Sequence, residues 1–462
     1  MVQGQTDPYL RIIEEGLRPA AARRLRVVIA GAGMAGLSAA RELARAGHEV
    51  TVLEARQRVG GRIETLRAPF SEGLYAEAGA MRLPRCHHLT MAYVAKFGLE
   101  TAPFTSSNPD AYVHIGGVRQ RYREFRGDDS VLALWDAALA PFRERLAGNA
   151  GAWAQIALEY DEFSVREFLD SQGWREDDIE LFGLLSQQEA LMNSSFLELL
   201  REEVGGYYTD LVEIVGGMDL LPRAFLPELG PRIRYGAAVV AIDQSPDGVT
   251  LHYRTAAGRA SESGDYAIVT LPFPVLRHIE VLKPFSSGKQ RAIRQLHYDA
   301  SAKILMQFRR RFWEEDEGIF GGGSVSDLPI RATYYPDHGR ETGRGVLLAS
   351  YTWGDDAQRW GSLPPDQRIT EALEDLALLH PSAPAEFEVG ASKVWHDDEY
   401  AGGAFALFDP GQQTRLYKDI VAPEGRIFFA GEHASLYHAW IQGAIESGLR
   451  AASEIHALSF RS

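Results

Sequence analysis

The stretch RVVIAGAGMAGLSAARELARAGHEVTVLEA, residues 26–55, decides the fold. A short apolar run from Arg26 to Ala30 reads as a buried strand. A glycine-rich turn follows, then Leu37, Ala40 and Ala44 at helical spacing, then a second apolar strand from Val50 to Leu53. That is a βαβ unit whose first turn is Gly31-Ala32-Gly33-Met34-Ala35-Gly36. In such a turn the glycines permit the tight bend, the approach of a pyrophosphate and close helix packing, and the helix N-terminus faces the phosphates. Glu54 closes the second strand about twenty residues on, where a carboxylate accepts hydrogen bonds from a ribose and repels the extra phosphate of NADP. A dinucleotide is the expected ligand.

Outward from this unit the chain changes character several times. Long helical patterns rich in Ala and Leu run from Glu124 to about Tyr208, including Val131 to Leu146. Short strands broken by PDG and AAG turns lie between Ile233 and Leu271. From His297 to Phe408 strand-like runs alternate with an acidic helix near Ile369 to Leu379. The C-terminal stretch has a buried strand, Arg426 to Ala430, and a helix that places Ile441, Ala444, Ile445, Leu449, Ala452 and Ile455 on one face. The expected fold class is α/β + α: a Rossmann-like domain (24–70, 217–295 and 420–462), an interleaved α+β substrate domain (71–118 and 296–419) and a helical insert (119–216). Residues 1–23 form an N-terminal helix, Pro8 to Leu17, and a basic linker.

Bulk properties remove several function classes. At 462 residues the chain calls for two or three domains, and no apolar run approaches the roughly 18 residues of a membrane span. A net charge of -15 disfavours a nucleic-acid backbone as partner. With one cysteine, Cys86, no intrachain disulfide is possible, and the first residues lack a secretory pattern, so a cytoplasmic protein is expected. His433 and His438 do not have helical metal-ligand spacing, and no metal is expected. Arg309 to Arg311 with Glu314 to Glu317 read as a solvated turn, and Cys86 as a small buried or half-buried residue.

Arg56 and Gly60-Gly61-Arg62 extend the nucleotide motif in a way that resembles the flavin-binding amine oxidases, which makes FAD the expected cofactor. The C-terminal FFAGEHASLYHAWIQGAIESGLRAA, residues 428–452, matches the other half of that family's site. Seven further stretches, in order, resemble the L-amino acid oxidases, including the venom enzymes. They are AEAGAMRLP (76–84), EIVGGMDLLP (213–222), HYDASAKI (297–304), YYPDHG (334–339), SYTWGDDA (350–357), YAGGAF (400–405) and HAWIQGAIESGLRAA (438–452).

The resemblance implies a cofactor site made of Gly31, Gly33, Met34, Ala35, Gly36, Glu54, Ala55, Arg56, Gly61, Arg62, Gly79, Ala80, Met81, Arg82, Val239, Trp395, Gly431, Glu432, Ala439, Trp440 and Ile441. The family's monoamine oxidases tether FAD through a cysteine near the C-terminal segment; no cysteine follows residue 86 here, so noncovalent FAD is expected. Arg82 and Tyr351 match the family's clamp for a substrate carboxylate, chemistry suited to a planar guanidinium fork. Lys303 matches a lysine that holds a water beside the flavin, and Trp440 a wall of the substrate pocket. Tyr334 either lines that pocket or merely packs.

Where venom enzymes carry a mobile histidine, the approximate counterpart is Glu202. With Gly205, Gly206 and Ala404 it suggests a roomy pocket for a bulky aromatic or, through Glu202 or Glu203, a cationic side chain; equally, these glutamates are solvated helix charges. The expected activity is oxidation of L-amino acids to 2-oxo acids, ammonia and hydrogen peroxide. The alternatives are a carboxylate-independent amine or polyamine oxidase and an amino acid 2-monooxygenase. The family implies a homodimer.

Overall fold

The β-branched run Val27-Val28-Ile29 within Arg26–Ala30 sends successive side chains to opposite faces. Val27 and Ile29 enter one apolar core with Leu37, Leu43, Ile445 and Leu449, while Val28 and Ala30 enter a second with Ile242, Leu251 and Val269. The strand is buried on both faces and sits at the centre of a parallel five-stranded sheet. The sheet order is Ile233–Arg234, Glu49–Leu53, Arg26–Ala30, Tyr266–Val269, Ile427–Phe429, so three distant parts of the chain supply it. We describe residues 7–19, 21–125, 128–149 and 151–461 from a computed structural model; the first six residues of the predicted N-terminal segment, and residue 20 of its linker, lie outside them.

Two helices cover one face, Met34–Arg45 and the C-terminal Ile441–Leu458. They approach closely because Gly448 has no side chain: a Cβ there would lie 2.3 Å from the Ala35 carbonyl oxygen. On the other face lies a four-stranded sheet, Gly258–Gly264, Val249–Thr255, Ala238–Gln244 and Glu280–Val281.

A second, seven-stranded sheet is built around Ser301–Phe308, whose residues are all buried. It pairs antiparallel with Gly345–Trp353 on one side and Phe387–Val394 on the other, and Lys303 falls opposite Tyr351. Both side chains therefore leave the same face. The helices Asp128–Leu146, Ala152–Tyr160, Val165–Ser171, Glu176–Ser186 and Phe196–Gly205 form a separate core around Phe142, Phe168, Phe182 and Phe196.

Three local expectations are corrected. The N-terminal helix spans Pro8–Glu15 and ends at Gly16, which adopts φ 85°. Arg311 is not in a solvated turn: it is 3% exposed, pairs with Glu314 and donates to the carbonyls of Pro336 and His338. Cys86 is exposed.

Candidate functional site

Between the two large sheets lies a cavity of about 890 Å³. Its nucleotide end is the glycine turn. Gly31 adopts φ 103°, and a Cβ on Gly36 would lie 2.0 Å from the Gly31 carbonyl oxygen, so the turn closes only with glycine at both. Gly36 thus packs behind the cavity wall, whereas Gly31, Gly33, Met34 and Ala35 line it. Gly33 caps the helix with no side-chain bond, and a Cβ there would meet nothing within 4 Å. The backbone N–H groups of a helix N-terminus thus face open space, the usual seat of a phosphate.

Glu54 reaches the same end. Its carboxylate accepts from the Ala32 and Arg56 amides, each at 2.8 Å, and burial raises its pKa against those bonds. Ala55, Arg56, Gly61, Arg62 and Val239 continue the wall. Arg56 is paired with Asp398. Arg62 donates to Glu432 at 2.9 Å and to the Ala404 carbonyl at 2.8 Å, and Glu432 also accepts from the Ala406 and Ala439 amides.

The loop before Arg82 is pinned by its carbonyls. Lys303 Nζ donates to Gly79 at 2.7 Å and Glu77 at 3.2 Å, while Trp395 Nε1 donates to Ala78 at 2.8 Å. Gly79 is needed here, since a Cβ would lie 1.9 Å from the Arg62 carbonyl oxygen. The loop carries Gly79, Ala80, Met81 and Arg82 into the wall. Burial lowers the Lys303 pKa to about 7, opposed by Glu77 and assisted by Arg82.

Arg82 is a permanent charge wrapped in rings. Its guanidinium carbon lies 5.4 to 5.8 Å from the ring centres of Tyr208, Phe104 and Tyr334. Nη1 donates to the Tyr334 hydroxyl at 3.2 Å, and that hydroxyl donates to Gln187 at 2.9 Å. Among the described residues no carboxylate pairs with Arg82; the groups that act on its charge are the tyrosines Tyr334, Tyr208 and Tyr351. Tyr334 stands behind Arg82, outside this cavity's wall. Tyr351 and Lys303 share the wall, the ammonium 4.6 Å from the tyrosine ring centre.

The C-terminal helix starts at the far side. Gly431, Glu432, Ala439, Trp440 and Ile441 line the cavity, with Trp440 as the N-cap. Ala439 adopts φ 63°, a left-handed conformation unusual without glycine, and no side chain caps the helix. Its positive end is therefore open to the cavity.

Most predicted site residues meet here; Gly206 does not. It caps the helix Phe196–Gly205 in the left-handed region and lies outside the wall, because the helix ends before it. Glu202, one turn earlier, faces the cavity, so it is no solvated surface charge. Sequence reasoning missed Tyr208, Trp353, Phe405 and Glu198 in the same wall. For Glu198 a signal existed, since it precedes Glu202 by one helical turn; Tyr208 follows the cap and carried none. No group of three or more His, Cys, Asp or Glu among the described residues could hold a metal, and no described helix is long and apolar enough to cross a membrane.

The family model described as flavin containing amine oxidoreductase matches residues 34–456. The chain belongs to that family. The amine oxidoreductases' FAD fits what the cavity offers: two uncapped helix N-termini, an open glycine turn and a buried carboxylate at the end of the second strand. Among curated relatives, the chain is 40% identical to the putative L-amino-acid oxidase YobN of Bacillus subtilis, covering 98% of both. It is 35% identical to the L-amino-acid oxidase of Vipera ammodytes ammodytes, covering 98% of this chain and 97% of that one. Its fold is that of wild-type putrescine oxidase bound to putrescine, at a TM-score of 0.77 and 23% identity over 94% of this chain and 99% of that chain. Cyclohexylamine oxidase from Brevibacterium oxydans is similar at a TM-score of 0.76 and 20% identity over 94% and 98%.

Proposed function

We propose that this flavoprotein oxidises L-amino acids to 2-oxo acids, with release of ammonia and hydrogen peroxide. The observation that carries this is Arg82: a buried guanidinium in the cavity wall with no carboxylate of its own. Burying a charge is costly unless it is paired, so the arrangement suits a ligand that brings an anion. An α-carboxylate fits the guanidinium fork by two parallel bonds, and the Tyr351 hydroxyl serves as a further donor. An amine without a carboxylate would leave Arg82 unpaired, which weighs against the activity that the putrescine and cyclohexylamine oxidases' names describe. The names of the curated relatives agree with the amino acid reading.

FAD, when held by the glycine turn, Glu54 and the C-terminal helix, would supply the chemistry of a two-electron acceptor. The protein's part is orientation and charge. Arg82 and Tyr351 fix the carboxylate, and so anchor Cα at one substituent. Lys303 Nζ, with a pKa near 7 and two donors spent on Glu77 and Gly79, would hold a water through its one remaining proton. The C-terminal helix opens its positive end to the cavity, where it would favour negative charge on a bound acceptor, and water completes hydrolysis of the imino acid to the 2-oxo acid and ammonia. Cys86 lies outside the cavity wall, which supports noncovalent binding of the cofactor. We carry over a homodimer from the family.

Anaerobic mixing of the holoenzyme with each L-amino acid and its decarboxylated amine tests this reading. Bleaching by amino acids, with peroxide and a 2-oxo acid in air, is expected. Bleaching by amines alone would overturn it, and an amide with carbon dioxide would indicate a monooxygenase.

A further inference from the structure

Glu202 presents the cavity with a second charge. Its Oε1 accepts from Trp440 Nε1 at 2.6 Å and its Oε2 from the Tyr208 hydroxyl at 2.8 Å. Both donors are neutral, and among the described residues no arginine, lysine or histidine pairs with it. The charges facing it are carboxylates, Glu198 and Glu203, and Glu198 is already engaged by His438 and Arg201. A carboxylate withdrawn from water with only neutral donors gains strongly from a cation.

Tyr208 sets where that cation must be. Its ring centre lies 5.4 Å from the Arg82 guanidinium carbon, and its hydroxyl lies 2.8 Å from Glu202. The wall thus carries a cation without a carboxylate partner and a carboxylate without a cationic partner, with Tyr208 against both. A molecule complementary to both bears a carboxylate at one end and a cation several bonds away.

We propose that Glu202 is the specificity-determining residue of this cavity and selects L-amino acids whose side chains end in a guanidinium or ammonium. The inference rests on the amino acid oxidase reading of Arg82 and adds the substrate class. Aliphatic and aromatic side chains would cover the carboxylate without supplying a cation, leaving only its two neutral donors, and a site built for a polar group discriminates against analogues that lack it. Burial raises the Glu202 pKa to about 7, against the bonds from Trp440 and Tyr208. An arriving cation therefore expels a proton below neutral pH, and basic substrates bind better as pH rises through 7.

The test uses isosteric pairs with the holoenzyme: L-arginine against L-citrulline, and L-lysine against L-2-aminoheptanoic acid. The cationic member of each pair is expected to have a kcat/KM about 10- to 100-fold higher. In Glu202→Gln, which keeps acceptor and size but not charge, that ratio is expected to collapse to within about threefold of unity. Wild-type ratios near one, or a ratio unchanged in Glu202→Gln, would overturn the proposal while leaving amino acid oxidation standing. Turnover of amines but of no L-amino acid would instead remove the reading of Arg82, and this inference with it.

Discussion

The Lys303 ammonium lies 2.7 Å from the carbonyl oxygen of Gly79, three residues before Arg82, so one buried cation holds the loop that aims the other. Lys303 is 2% exposed, and its pKa of about 7 is well below the ~10.4 of an unfolded lysine. Between these values the unfolded chain binds the extra proton, so stability rises with pH from about 7 to about 10. In Lys303→Met the share of that slope due to Lys303 is expected to be lost, while buried Lys289, also lowered to about 7, keeps its own. Urea midpoints measured from pH 6 to 10 should show the wild type gaining on the variant, whatever constant offset the lost hydrogen bonds introduce; parallel curves would refute the assignment.

Arg82→Ala should lower kcat/KM for L-amino acids by about 30- to 1000-fold, equivalent to ~2–4 kcal/mol, because the substrate carboxylate enters a desolvated site without its partner. Arg82→Lys keeps the charge but not the two-point fork and should recover only part of the loss. Steady-state oxygen uptake at several substrate concentrations measures both. Unchanged kinetics in the alanine variant would sink the clamp.

Two glycines of one turn should fail in different ways. Gly36→Ala drives a methyl group to 2.0 Å from the Gly31 carbonyl oxygen, so soluble expression or melting temperature should fall sharply. Gly33→Ala meets no protein atom within 4 Å and keeps an ordinary φ of -74°, so the apoprotein should melt close to the wild type. Its methyl group nevertheless occupies the space left for the pyrophosphate, and flavin affinity should drop at least about tenfold. Fluorescence titration of apoprotein with FAD, beside thermal melts, separates the two.

Glu54→Ala removes the acceptor for a buried amide, Ala32, and a partly buried one, Arg56, at about 1–3 kcal/mol each, as well as the acceptor proposed for a ribose. Loss of flavin during gel filtration and a lower melting temperature are both expected. Retention of full flavin content would show that Glu54 serves the turn and not the cofactor.

The cofactor half of the cavity was legible because its parts lie close in sequence. A strand, a glycine turn, a helix and a terminal carboxylate fall within residues 26–55, where local periodicity places them. The substrate half is assembled by register. Lys303 and Tyr351 face one another because two antiparallel strands pair at that step, and a one-residue slip would turn one of them away. Family likeness, not spacing, singled them out. Tyr208 and Trp353 escaped because nothing in a tyrosine after a helix cap, or a tryptophan at a strand end, distinguishes cavity from core. Gly206 was misplaced for the converse reason: glycine in GG suggested room, whereas its left-handed φ of 66° serves to end a helix.

The strand order of the parallel sheet has a consequence for biosynthesis. Gly431 and Glu432, which follow its edge strand Ile427–Phe429, and the helix that begins at Ile441 complete walls started by residues 31 to 62. A chain leaving the ribosome N-terminus first carries the glycine turn early, yet has no enclosed chamber until residues 431–444 have emerged. Capture of the cofactor is therefore a late event in the life of each molecule, and a nascent chain stalled before residue 427 is expected to be colourless.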